Sequence, residues 1–131
     1  MGELFRITLA GNPVTKKNSQ RMIRNGGRCI PLPSKAYMDY RVAALAQMPF
    51  IDTITQPVNV RCVYYMRTRR IVDLVNLLEA TDDILRDGGI IADDNSRIVA
   101  GHDGSRVLQD KENPRVEIVI TAIEPEKENA E

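Results

Sequence analysis

The chain has 131 residues, of which 43% are hydrophobic and 27% charged, enough for one domain with a core of its own. No apolar run approaches the ~20 residues of a membrane span, and the start Met-Gly-Glu-Leu-Phe-Arg lacks the basic and apolar regions of a secretory signal. A cytoplasmic protein with no membrane partner is therefore expected. The formal net charge of zero conceals a division: residues 1–70 carry twelve Lys or Arg against three Asp or Glu, a net of +9, and residues 71–131 carry six against fifteen, a net of −9. Such asymmetry points to nucleic-acid contact, unless the two halves interleave and their charges mix on the surface. Cys29 and Cys62 are far apart and have no Cys-x-x-Cys neighbour, which argues against zinc and disulfides and leaves packing as their expected role.

In chain order, Glu3 to Leu9 alternates Phe5, Ile7 and Leu9 against Leu4, Arg6 and Thr8, the period of a half-buried strand. Thr15 to Arg28 is polar, rich in cations and free of acids, with a Gly26-Gly27 turn that suits a hairpin. Lys16, Lys17 and Arg21 supply charge and Asn18 a neutral donor, a composition suited to gripping phosphates; a solvated loop has the same composition. Lys35 to Met48 reads as a helix capped by Ser34 and stopped by Pro49. Tyr37 and Tyr40 on it suit either stacking on bases or the edge of the core. Pro57 to Met66 is dense in β-branched and aromatic residues, and predicts a strand that runs into Arg67, Arg69 and Arg70.

Asp73 then opens a helix. Leu74, Leu77, Leu78, Thr81, Ile84 and Leu85 share one face, and Gly88-Gly89 ends it. Asp73, Asn76, Ala80 and Asp83 form another stripe, with Glu79 beside it. Asp73 needs to be no more than the N-cap. Ile90 to Ala92 returns to Asp93-Asp94, so that the two ends of the unit could meet. Ile98 to Leu108 reads as a hairpin about Asp103-Gly104, or as a single bent strand, with His102 a loop residue beside the turn. Arg115 to Ile123 alternates as the last strand, and the acidic stretch 124–131 predicts a disordered tail after a domain of residues 1–123.

There is no P-loop, dinucleotide fingerprint, nucleophile elbow or His/Cys cluster. What remains is hard-oxygen chemistry: carboxylates at a helix start and in a nearby Asp-Asp pair either face water or hold Mg²⁺ or Mn²⁺ against a phosphodiester, with basic loops to hold the backbone.

The order of Lys16-Lys17-Asn18-Ser19, Pro33-Ser34-Lys35-Ala36-Tyr37, Asp73-x-x-Asn76-Leu77 and Gly89-Ile90-Ile91-x-Asp93-Asp94 resembles the RusA-type Holliday junction resolvases, over about residues 4–123. The resemblance implies a homodimeric, Mg²⁺-dependent endodeoxyribonuclease of phage or prophage type that nicks branched DNA in recombination and repair. The implied fold is α+β, with a mixed, mainly antiparallel sheet and two principal helices. Asp73, Asp93 and Asp94 take the catalytic metal-site positions by the same resemblance, with Asp83 and Glu79 in support and Asn76 a capping or supporting residue. Lys16, Lys17, Asn18, Arg21, Arg67, Arg69 and Arg70 would contact DNA. Two positions depart from the family pattern: Val75 stands where a second aspartate is usual, and Glu79 where a lysine is usual. Valine cannot ligate a metal, so either Glu79 supplies the missing oxygen or the chain binds junctions without cutting them. A third reading, from another class, is an interaction or RNA-binding module whose acidic helix is only a wet face.

Overall fold

The computed structural model describes residues 2–16 and 21–124. Its main sheet has five strands. β1 (Glu3–Ala10) pairs antiparallel with β7 (Arg115–Ala122), which pairs antiparallel with β4 (Val58–Met66). On the far edge of β4 lie β5 (Val99–Gly101) and β6 (Arg106–Gln109), both parallel to it. A separate hairpin pairs β2 (Arg21–Asn25) with β3 (Arg28–Leu32). The two helices are α1 (Lys35–Ala46) and α2 (Leu74–Asp87). This is the expected α+β architecture, a mixed but mainly antiparallel sheet with two principal helices.

The register explains which face is buried. Phe5, Ile120 and Val60 form one cross-strand row, Ile7, Ile118 and Cys62 the next, and Leu9, Val116 and Tyr64 a third. All nine belong to the core or pack against it, because residues two apart in a strand share a face. The helices bring Tyr37, Ala44, Leu77, Leu78, Ala80, Ile84 and Leu85 to the same core. Each such buried aliphatic side chain contributes on the order of 1.5–3 kcal/mol. Tyr37 is thus a core residue and Tyr40 packs against the core, so the base-stacking reading of this pair does not hold. Cys62 is buried too, and burial pushes its thiol up to about 12, which suits packing; Cys29 is exposed.

The local signals work as chemistry requires. The Ser34 hydroxyl accepts from the Tyr37 amide at 3.1 Å and opens α1, which ends at a C-cap on Gln47 just short of Pro49. Gly26 and Gly27 both take positive φ, +60° and +80°, as a two-residue hairpin turn demands.

One expectation fails. β5 and β6 do not pair with each other around Asp103-Gly104; each docks along β4, at Val58–Asn59 and at Val63–Met66. Nor do they form one continuous bent strand: a turn at Asp103-Gly104 separates two strands that both run parallel to β4. The cause lies in β4: Asn59 accepts from the Asp103 amide at 2.7 Å and donates to the Asp103 carbonyl, and Arg61 donates to the Gly104 carbonyl. The Cys62 amide donates to the Ser105 hydroxyl at 3.0 Å. The turn closes with a single bond from the Ser105 amide to the His102 carbonyl at 3.1 Å, and the segments on either side pair with β4 instead of with each other.

Candidate functional site

α2 carries the two poles of the site. At its start, the Asp73 carboxylate accepts from the Val75 amide at 2.9 Å and satisfies one of the free amides of the first turn. Asp73 therefore is the N-cap, whatever else it does. It faces a groove of about 550 Å³, formed where the exits of β1 and β4 meet the first turns of α1 and α2 and lined by Asn12, Thr15, Met66, Arg70, Asp73 and Asn76 among others. Asn12 fixes this rim by accepting from the Arg67 amide at 2.8 Å. Arg67, Arg69 and Arg70 are all exposed there. Arg69 donates to the neutral Gln109 amide oxygen at 2.7 Å. Among the described residues, none of the three arginines meets a carboxylate, whereas Arg6, Arg41, Arg86 and Arg115 all do.

The second pole lies near the end of α2. Arg86 is its hub: the guanidinium reaches Asp83 at 3.1 Å, Asp94 at 3.3 Å and Asp87 at 3.3 Å. Asp94, with help from Asp87 and Asp93, pushes the Arg86 guanidinium above its ordinary range. Lys16 also pairs with Asp83, and Arg41 with Asp87 at 2.8 Å. The Asp93 carboxylate accepts from the Asp94 amide at 2.7 Å and shapes the turn after the helix.

Sequence reasoning passed over two residues here. Asp82 is only 6% exposed; one carboxylate oxygen meets His102 Nε2 at 2.7 Å and the other has no hydrogen-bond partner among the described residues. Burial raises the Asp82 pKa, against the opposing pull of His102. The signal for Asp82 was in the helical period, since it lies four residues after buried Leu78. His102, read as a loop residue without a clear role, instead ties the β5–β6 connection to α2.

The structure thus gathers Asp83, Asp93 and Asp94 around Arg86, but does not bring Asp73 to them. Asp83 is ten residues beyond Asp73 on α2, about 15 Å at the α-helical rise. Oxygens that share a magnesium ion each lie ~2.1 Å from it. Glu79 is exposed and six residues beyond Asp73, about 9 Å along the axis, and Val75 between them is 68% exposed. Among the described residues, no three His, Cys, Asp or Glu side chains are grouped to hold a metal. The carboxylates of a single chain therefore do not fit the metal set that the motifs suggest. Asp83 and Asp94 are bridged by an internal cation, Arg86.

Of the expected DNA-binding residues, Arg67, Arg69 and Arg70 are exposed and Arg70 lines the groove with Asp73, while Lys16 is engaged by Asp83. Asn76 lines the groove. Lys17 and Asn18 fall outside the described residues, as does the Arg21 side chain. Among the described residues, no helix is long and apolar enough to cross a membrane.

Comparison with curated proteins gives no match. A family model for the endodeoxyribonuclease RusA matches residues 10–121, a span that holds the groove, the arginine rim and both acidic poles. The chain belongs to the RusA endodeoxyribonuclease family.

Proposed function

We propose that this chain is a Holliday junction resolvase, a homodimer that nicks four-way DNA junctions during recombination and repair with Mg²⁺, or Mn²⁺ in its place. The observation that carries this reading is a run of three exposed arginines, Arg67, Arg69 and Arg70, none of which meets a carboxylate among the described residues and the last of which lines the groove with Asp73, in a chain of a nuclease family. Exposed guanidinium groups without carboxylate partners suit DNA phosphates, and contacts of this kind position the duplex without reading its sequence. Asp73 at the groove and Asp93-Asp94 beyond the end of α2 are the proposed catalytic carboxylates, with Asp83 and Glu79 in support.

Val75 favours a second reading, in which the chain binds junctions and does not cut them, because an exposed valine offers no oxygen. One experiment separates the two. A labelled four-way junction is incubated with the protein and Mg²⁺ or Mn²⁺, alongside Asp73→Asn and Asp94→Asn variants. The resolvase reading expects paired nicks that need the metal and disappear in both variants. Tight binding with no metal-dependent product refutes it in favour of the second. Nicks that persist in both variants refute the residue assignment.

A further inference from the structure

Two large apolar side chains flank Asp73 with almost nothing covering them: Ile71 is 97% exposed and Val75 68%. Leaving an isoleucine in water forgoes roughly 1.5–3 kcal/mol relative to burying it. Isolated exposed apolar residues are ordinary on protein surfaces, so exposure alone assigns no role. The surroundings of Ile71 are what matter. It follows Arg67, Arg69 and Arg70, and it lines the same groove as Arg70 and Asp73. Among the described residues, none of these exposed arginines meets a carboxylate. A protein partner with an apolar contact face would be a poor match for the three guanidinium groups that precede Ile71 in the chain. A nucleic acid matches both features, with phosphates for the arginines and base faces for the isoleucine.

We propose that Ile71 is an apolar wedge that enters the branch point of a bound junction and unstacks the base step there, while Arg67, Arg69 and Arg70 hold the phosphates on either side. The inference rests on the junction-resolvase reading and adds the residue that distinguishes a branch from a plain duplex. Proteins that kink DNA insert Ile, Leu, Met or Phe between base steps, at a cost of a few kcal/mol for each step unstacked. At a four-way crossover the continuous stack is already interrupted, so that cost is smaller than in a duplex. A wedge therefore favours the branch, whereas the arginines bind both kinds of DNA alike. Val75, in the first turn of α2 on the other side of Asp73 in the chain, adds a second exposed apolar side chain.

The test uses the full chain and four-way junctions carrying 2-aminopurine at the crossover, whose fluorescence rises when the base is unstacked. The parent protein is expected to raise that fluorescence and to prefer the junction over a duplex of the same length. Ile71→Ala is expected to abolish the rise and to reduce the preference about tenfold or more, with Ile71→Met restoring both. Arg70→Ala is expected to weaken junction and duplex equally and to lower the salt slope of binding by about one. Ile71 is exposed, so Ile71→Ala should unfold at the parent temperature, and a matching thermal transition verifies this. An Ile71→Ala variant that keeps the fluorescence rise and the preference overturns the wedge and leaves the junction reading standing. Conversion of a parent dimer to a monomer by Ile71→Ala also overturns it, by showing that the side chain covers a second copy. Failure of the parent to bind junctions overturns the reading beneath it.

Discussion

Both acidic poles depend on how α2 is seated on β4, and one buried contact tests that seating. The Tyr64 hydroxyl and the Thr81 hydroxyl lie 2.6 Å apart, and Thr81 also donates to the Leu77 carbonyl at 2.9 Å. A threonine has one hydroxyl proton, so Tyr64 must be the donor to Thr81. Tyr64 is fully buried and Thr81 nearly so. Thr81→Val preserves shape and helix propensity but removes the acceptor, leaving a buried phenol donor whose neighbour, the Cys62 sulfur, is a weak acceptor. An orphaned donor of this kind costs about 1–3 kcal/mol. Tyr64→Phe alone removes the donor and leaves the Thr81 proton on its carbonyl, for a loss of about 1 kcal/mol. In the double variant no orphan remains, so its loss should fall short of the sum of the single losses by about 1 kcal/mol or more. Urea unfolding of the four proteins, followed by circular dichroism, measures the cycle. Losses that add to within ~0.3 kcal/mol would refute the hydrogen-bond assignment and the argument that this pair fixes α2 on β4.

Two further outcomes are expected. The Arg41 hydrogen bond, followed by Arg86, holds the Asp87 carboxyl below its ordinary range. Its folded pKa lies below the unfolded one, so its contribution is present above about pH 4 and is lost as pH falls through the folded value. Both side chains of the Arg41–Asp87 pair are 31% exposed, which limits the effect to about 0.5–1 kcal/mol. Asp87→Asn should therefore be less stable than the parent at pH 7 and equal to it near pH 2, as read from denaturant midpoints. Gly104 has φ +84°, and an added Cβ would sit 2.9 Å from Arg61 Nε. Gly104→Ala should cost about 1–2 kcal/mol in thermal unfolding through left-handed backbone strain; an unchanged midpoint would mean that the β5–β6 connection is not held as described.

The elements were legible because their signals are local. Period-two alternation marked β1 and β7, a density of β-branched and aromatic residues marked β4, the Ser34 and Asp73 caps marked both helix starts, and Gly26-Gly27 marked the β2–β3 turn. Motif order was enough to identify the family. The site was less legible. Asp73, Asp83, Asp93 and Asp94 looked like one constellation, because the chain after α2 returns toward the helix. The return stops at Arg86, whose guanidinium captures Asp83 and Asp94 well short of Asp73. Asp82 and His102 were missed because a carboxylate on a helix looks the same in sequence whether it faces water or a histidine twenty residues away.

The sequence by itself determined where both helices start and which face of the helices and of β1 and β7 is apolar, since those properties depend on neighbours two to four residues apart. Only the tertiary structure decided that β5 and β6 dock in parallel along β4, that Asp82 holds His102, and that the acids of α2 divide into two poles. Those outcomes depend on which distant groups meet once the chain has closed, and on helix length: ten residues of rise keep Asp73 and Asp83 at about 15 Å, however close their motifs stand in the sequence.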